Sequence, residues 1–98
     1  MAELFITVGL RAKAGAEDAL RQDLVAVTQT SQKEDGALRY ELFEDGDQPG
    51  LFVFFEHWAS EEAQSKHHND GPHIQHFQAN GAANVEKMEF HHRLARIA

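Results

Sequence analysis

The amino-acid sequence predicts an α+β domain in which a four-stranded antiparallel sheet carries two helices on one face. Three observations predict this fold class. Four segments have the period of two, or the continuous apolar character, that is typical of strands. Two segments repeat apolar residues at helical spacing, and the six elements follow one another in the order β-α-β-β-α-β. This order is that of the ferredoxin-like fold.

The first half of the chain predicts a strand, a helix and a second strand. Apolar and polar residues alternate over residues 4–11, and small residues at positions 14–16 end the pattern. An amphipathic helix of about four turns follows and ends near Lys33. Its apolar residues at helical spacing are Leu20, Leu24 and Val27. Gly36 then precedes a second alternating strand around Tyr40.

The second half begins with a hairpin loop at residues 45–50, where Asp, Gly, Gln and Pro collect between two strand patterns. Strand three, residues 51–58, is apolar on both faces until its last residues. Ser60 is the expected N-cap of a second helix that continues to about His67. The capping box is incomplete, because Ala63 stands where a glutamate or glutamine would be needed. The remaining elements are an interruption at residues 69–72, a short helix over residues 73–79 and a long fourth strand over residues 85–93.

Apolar side chains on both faces of the sheet predict a homodimer. Two helices can cover one face, whereas strand three and Phe5 place apolar groups on the second face as well. A monomer would therefore expose this apolar surface. A second copy, paired sheet to sheet about a two-fold axis, is the simplest cover, so we predict a homodimer through sheet faces.

Composition excludes several classes of function. The 98 residues include 16 acidic and 9 basic side chains, and a net charge of −7 gives no electrostatic basis for binding nucleic acid or anionic lipid. The chain has no cysteine, which excludes disulfides and thiolate metal sites. No signal peptide is visible, and no segment approaches the roughly 18 apolar residues of a membrane span. We expect one domain over residues 1–98, soluble and cytoplasmic, without nucleic-acid or membrane partners.

Glu56, at the end of strand three, is a candidate catalytic residue. Its parity places it on the same face as Phe54 and Trp58, so a half-buried carboxylate is expected. Burial would raise the pKa of the carboxyl and make it a general base. A neighbouring cation such as Arg39 or Arg93 would instead hold it ionised in a structural ion pair. On the residues alone, the structural ion pair is the preferred interpretation.

Histidines are unusually frequent for a chain of this size. Seven are present, and four of them lie within ten residues: His67, His68, His73 and His76. His73 and His76 are three apart on a possible helix, and two imidazoles on one face can begin a zinc or copper site. No H-E-x-x-H or comparable spacing accompanies them. We therefore interpret them as polar helix residues and predict no metal site.

Aromatic side chains could line a pocket for a flat ligand. Large aromatic side chains pack in the core more often than they stack on ligands. We expect core packing of Trp58 and also of Phe52, Phe54, Phe55, Phe77 and Phe90. The chain contains no G-x-G-x-x-G, P-loop or G-x-S-x-G motif. Nucleotide cofactors and serine-hydrolase chemistry therefore have no support in the sequence.

Three stretches carry a resemblance to a known family. Residues 36–45 read GALRYELFED, residues 51–63 read LFVFFEHWASEEA, and residues 67–77 read HHNDGPHIQHF. They contain a glycine before a strand with tyrosine, an acidic hairpin, an E-x-W strand end, a helix histidine, and a second histidine followed by an aromatic residue. In this pattern the chain resembles the antibiotic biosynthesis monooxygenase family. The family usually spaces its two histidines by five residues, whereas here His67 and His73 are six apart and His68 and His73 are five apart.

The resemblance implies a dimeric α/β barrel that oxidises a small quinol- or polyphenol-type aromatic with dioxygen, without metal or prosthetic group. In this chemistry a deprotonated, electron-rich aromatic itself reduces dioxygen, and the protein supplies a pocket, a base and orientation. The resemblance implies His67 as the base, with Glu56 as the second catalytic group, and leaves open whether His67 or His68 faces the pocket. The implied substrate-binding residues are Tyr40, Phe54, Trp58, His68, His73 and Phe77.

Two other functions are compatible with the resemblance. A heme-degrading branch of the family uses a histidine that ligates iron, and His76 could serve in that role. A barrel of this kind can also bind a small metabolite without catalysis, because fold and function separate easily. Absorbance changes on adding hemin would reveal the first, and ligand-induced stabilisation without turnover would reveal the second.

Overall fold

A computed structural model describes residues 2–98 of the chain. Its principal elements are β1 (Leu4–Ala12), α1 (Glu17–Ser31), β2 (Ala37–Glu44), β3 (Leu51–Trp58), α2 (Glu61–Asp70), α3 (Pro72–His76) and β4 (Val85–Leu94). A π-helix at Phe77–Gly81 and a 3-10 turn at Ala82–Asn84 connect α3 to β4. The strands form one antiparallel sheet in the order β2-β3-β1-β4. This topology confirms the predicted ferredoxin-like fold.

The helix boundaries differ from the predicted ones in two places. α1 ends at Ser31 instead of near Lys33, because the last amide groups turn back to nearby carbonyl groups and tighten the chain. α2 begins as predicted, with the Ser60 hydroxyl accepting from the Ala63 amide at 3.2 Å, and continues to Asp70. The predicted interruption at residues 69–72 is confined to Gly71, and Pro72 already opens α3. Proline is tolerated at the first helical position because an amide there would have no partner within the helix.

The hydrophobic core lies between α1, the α2–α3 segment and the inner face of the sheet. The predicted apolar residues of α1 are all buried in it. The strand register places Val8 opposite Phe54 and Tyr40 opposite Glu56, so these side chains point toward the helices. The buried core residues are Leu4, Ile6, Val8, Ala12, Leu20, Leu24, Val27, Tyr40, Phe52, Phe54, Trp58 and Ile74.

The face of the sheet that carries no helix is called the outer face below. We expected Phe5 to add exposed surface here, and this expectation is wrong, since Phe5 is 9% exposed. Its ring stacks on His57 with centroids 4.2 Å apart, and the Arg96 guanidinium lies over it at 5.1 Å. Arg39 covers Phe55 in the same way at 4.8 Å. Cations of the chain itself therefore cover part of the apolar outer face.

Gly9 in β1 allows the closest packing on the outer face. A side chain at this position would place its Cβ 2.4 Å from the Phe90 ring of the neighbouring strand. A glycine here thus leaves room for the half-buried Phe90 ring, which a larger residue would displace. Among residues 2–98, no helix is both long enough and apolar enough to cross a bilayer.

Candidate active site

A cavity of about 400 Å³ lies between the inner face of the sheet and the helices. It is called the main cavity below. Most of its wall is apolar, and every strand and helix of the fold contributes to it. Its volume lies within the usual range for small-molecule sites. Six of the eight site residues predicted from the sequence line it: Tyr40, Phe54, Glu56, His67, His68 and Phe77. The main cavity is therefore an apolar compartment with a few polar groups on its wall.

The other two predicted residues, Trp58 and His73, lie behind the wall. Trp58 is fully buried, and its indole Nε1 donates to Glu56 Oε1 at 2.8 Å. Its ring packs 4.7 Å from the ring of His67, centroid to centroid. The His73 ring also packs against His67, with centroids 5.5 Å apart. Both residues thus touch groups that face the main cavity.

Glu56 is a buried carboxyl that has no cation partner among residues 2–98. Its side chain points into the main cavity and is 6% exposed. Arg39 pairs with Glu41, and Arg93 pairs with Glu61. The structural ion pair that we preferred for Glu56 is therefore wrong, because both arginines have other partners. Burial raises the pKa of Glu56 to about 7, although the hydrogen bond from Trp58 opposes this rise.

We expect Glu56→Gln to stabilise the protein at alkaline pH. The pKa of Glu56 is higher in the folded protein than in the unfolded chain, so the folded state favours the protonated carboxyl. The free energy of unfolding therefore falls as the pH rises from about 4.5 to about 7. Glutamine can still accept from Trp58 but carries no charge. The variant should gain about 2 kcal/mol over wild type at pH 8 and almost nothing at pH 4.5, as measured by urea unfolding. An equal gain at both pH values, or the same gain in the exposed control Glu62→Gln, would contradict this.

His67 is the inward-facing member of the histidine pair. It is 4% exposed, whereas His68 is exposed and contributes to the rim of the main cavity. The Nδ1 atom of His67 lies 2.6 Å from Glu34 Oε1. Because a carboxylate accepts hydrogen bonds, we assign the ring proton to Nδ1, which leaves a lone pair on Nε2. The histidine spacing left His67 and His68 as alternatives, and the structure shows that His67 is the buried ring.

The Nε2 atom of His67 faces the main cavity. No protein atom makes a hydrogen bond to it, yet within residues 2–98 no buried side-chain nitrogen or oxygen lacks a partner. Nε2 is therefore accessible, and the accessible space beside His67 is the main cavity. Burial lowers the pKa of His67, and the hydrogen bond that its Nδ1 donates to Glu34 opposes this fall. A neutral imidazole with a free Nε2 is suited to accept a proton.

Tyr40 adds a neutral hydroxyl to the same wall. Its ring lies 5.3 Å from His67 and 5.4 Å from Phe54, centroid to centroid. Burial raises the pKa of the phenol, and the charge of Glu56 adds to this effect. Tyr40 thus stays protonated across the physiological pH range and can donate a hydrogen bond to a ligand oxygen.

Glu34 is a site residue that the sequence analysis missed. It lies in the turn between α1 and β2, and its Oε1 contacts both His67 Nδ1 and, at 3.2 Å, His73 Nε2. The donor atoms of these three residues lie within 4.8 Å of one another, and two imidazoles with a carboxylate are a common ligand set for zinc or iron. Here a hydrogen bond joins His67 to Glu34, and His73 Nε2 is hydrogen-bonded with the Ser31 hydroxyl. We therefore interpret the trio as a hydrogen-bond network.

A second cavity of about 410 Å³ lies between α1 and α3, outside the main cavity. His76, the residue considered for iron ligation, lines this second cavity, and its Nδ1 lies 3.2 Å from the Asn80 amide nitrogen. It does not line the main cavity. A heme bound in the main cavity would therefore not meet His76 in this conformation.

The sequence of this chain matches the model of one known protein family. The family model for antibiotic biosynthesis monooxygenase matches residues 4–80. This chain belongs to the antibiotic biosynthesis monooxygenase family. The matched range includes Glu34, Glu56, His67 and His73. It ends within the π-helix, so β4 lies outside it.

Related proteins align with most of this chain in sequence or in structure. The protein named "Putative monooxygenase YcnE" from Bacillus subtilis is 32% identical over 72 residues, which cover 74% of this chain and 75% of that protein. The structure of PA3566 from Pseudomonas aeruginosa has a TM-score of 0.92 at 26% identity and covers 100% of this chain and 97% of that chain. Rv0793 from Mycobacterium tuberculosis has a TM-score of 0.89 at 26% identity, with 99% and 97% covered.

Proposed function

We propose that this family member is a cytoplasmic, cofactor-independent monooxygenase that oxidises a small quinol- or polyphenol-type aromatic with dioxygen. The observation that carries the proposal is the free Nε2 of His67 on the wall of a mainly apolar cavity. An aromatic substrate would place its ring against Phe54 and Phe77 and its hydroxyl group near His67. The membership of a monooxygenase family supports the same chemistry.

The reaction needs no external reductant if the aromatic ring supplies all the electrons. His67 Nε2 takes the proton of a phenolic hydroxyl, and the resulting phenolate donates electrons to dioxygen. A carbon–oxygen bond forms at an unsubstituted ring carbon, and the peroxide oxygen takes the proton back. Loss of the proton on that carbon, with cleavage of the oxygen–oxygen bond, gives a quinone carbonyl and water. One oxygen atom enters the product, and the other leaves as water.

The remaining cavity residues have supporting roles in this proposal. Tyr40 donates to an oxygen of the substrate, and the phenyl rings exclude water from the reduced oxygen species. Glu56, with a pKa of about 7, can take the proton from the ring carbon at neutral pH. Trp58 holds that carboxyl in place through its indole hydrogen bond. His68 lies at the rim, where it can contact a substituent.

Oxygen uptake by the purified protein tests the proposal. The protein is treated with a chelator, dialysed and assayed in an oxygen electrode with a panel of hydroquinones and polyphenols. We expect uptake that depends on the aromatic compound and is unchanged by added metal. Uptake that disappears after chelation and returns with metal would overturn cofactor independence. Ligand-induced thermal stabilisation without uptake would indicate a binding protein, and a hemin absorbance shift would indicate the heme branch.

We also propose that the outer face pairs with a second copy of the chain. Phe43 in β2 remains 53% exposed there, beside the half-buried Val53 and Phe55. An apolar sheet face of this kind is commonly buried in an oligomer. We expect a dimer by light scattering at micromolar concentration and a shift toward monomer in Phe43→Asp. The control Val25→Asp changes an exposed apolar residue on α1 and should remain dimeric, whereas a monomeric wild type would refute the proposal.

A further inference from the structure

We infer that Glu34 is the positioning residue of the base, holding His67 in the tautomer that leaves Nε2 free, and that His73 holds Glu34 in place. The inference rests on the proposed function, because it assigns His67 a proton to accept. Glu34 comes from the turn between α1 and β2, whereas the other site residues come from β2, β3, α2, α3 and the π-helix.

The first support is the sharing of one carboxylate oxygen between two imidazole rings. Glu34 Oε1 lies 2.6 Å from His67 Nδ1 and 3.2 Å from His73 Nε2. The Ser31 hydroxyl lies 2.9 Å from the same Nε2 atom. An ionised carboxylate can only accept, so the His67 ring, which is hydrogen-bonded to Glu34, must carry its proton on Nδ1. The network therefore specifies the tautomer of His67.

The second support is the direction of the two ring nitrogens of His67. Nδ1 points away from the main cavity to Glu34, and Nε2 is accessible on the cavity wall. The rings of Trp58 and Tyr40 pack against the imidazole at 4.7 and 5.3 Å, which opposes its rotation. With the ring held and Nδ1 protonated, the lone pair has one orientation, toward the substrate.

The third support is electrostatic. When Nε2 takes the substrate proton, the imidazole becomes a cation that is 4% exposed. Such a cation is costly in an apolar environment unless an opposite charge lies nearby. Glu34 supplies that charge at hydrogen-bond distance. The proton itself travels from the substrate oxygen to Nε2, and the Nδ1 proton stays on the ring, as in carboxylate–histidine pairs of other general bases.

Glu34→Gln tests the assignment, because the amide keeps the shape of the side chain and can donate to Nδ1 instead of accepting. His67 should then carry its proton on Nε2 and lose its basic atom toward the cavity. We expect kcat to fall roughly 10²- to 10⁴-fold with a much smaller change in KM. Glu34→Asp, which keeps the carboxylate, should recover part of the rate. The matched control is Asp35→Asn, an exposed acid one residue away, which should keep the wild-type rate.

Nitrogen NMR of the histidine rings separates this inference from the proposed function, since it needs no turnover. In wild type the His67 signals should show the Nδ1-protonated tautomer, and in Glu34→Gln the Nε2-protonated one. The pKa of His67 should also fall in the variant, because a charge that favours the imidazolium has been removed. An unchanged tautomer with an unchanged kcat would overturn the inference, as would zinc-dependent activity lost on substitution of Glu34. An inactive wild type with the expected tautomer change would overturn the proposed function alone.

Discussion

Replacement of His67 by glutamine should lower the rate of oxygen uptake by about 10²- to 10⁴-fold, the usual contribution of a positioned general base. Glutamine retains a side chain of similar length and polarity, and its amide can still contact Glu34. It has no basic nitrogen for the substrate proton, so phenolate formation in the cavity should fail. The measurement is kcat by oxygen electrode at saturating substrate, with thermal unfolding as a check that the variant is folded.

His68→Gln is the matched control for this variant. The two histidines are adjacent in α2, but His67 is buried against Trp58 and Tyr40, whereas His68 is exposed at the rim. We expect His68→Gln to keep most of the wild-type kcat and to change mainly KM. Equal rates in the two variants would refute the assignment of His67 as the base. A loss confined to His68→Gln would move the base to the rim of the cavity.

Replacement of Trp58 by alanine should have the largest effect on stability, about 3–5 kcal/mol. The indole is fully buried, packs on His67 and Tyr40, and donates to the buried carboxyl of Glu56. Alanine leaves a large void in the core and removes the hydrogen-bond donor of Glu56. Urea unfolding at neutral pH measures the loss. A destabilisation below about 1 kcal/mol would show that the indole is not the packing centre that its burial indicates.

Trp58→Phe separates the packing of the indole from its hydrogen bond. Phenylalanine fills most of the space and lacks the Nε1 donor. Because that hydrogen bond lowers the pKa of Glu56, its loss should raise this pKa further above 7. The acid limb of the pH–rate profile should then move to higher pH. An unchanged acid limb would indicate that Glu56 does not act as a base in the rate-limiting step.

The fold was predictable because each element carries a local pattern. The strands alternate or are apolar on both faces, α1 has apolar residues at helical spacing, and Ser60 has the chemistry of an N-cap. The π-helix after α3 has no comparable signal, because it depends on how the chain closes onto β4. The burial of Glu56 could also be predicted from its position on the apolar face of β3. Whether a cation lies beside it could not, because that depends on the register between neighbouring strands.

The candidate site was only partly predictable. α2 contains few apolar residues, so its pattern did not distinguish His67 from His68. One signal was present: Ala63, four residues before His67, packs against the core, and residues four apart share a helix face. Glu34 gave no such signal. It lies 33 residues from His67 in the chain, and the packing of α2 beside the turn after α1 brings the two together.

The most direct test of the central claim is the fate of isotopically labelled dioxygen. The chelator-treated protein is incubated with heavy-oxygen gas and a hydroquinone that supports uptake, and the products are analysed by mass spectrometry. The account predicts one labelled oxygen atom in the quinone product, labelled water, and no accumulation of hydrogen peroxide. An unlabelled quinone formed together with labelled hydrogen peroxide would show an oxidase instead of a monooxygenase and would contradict the account.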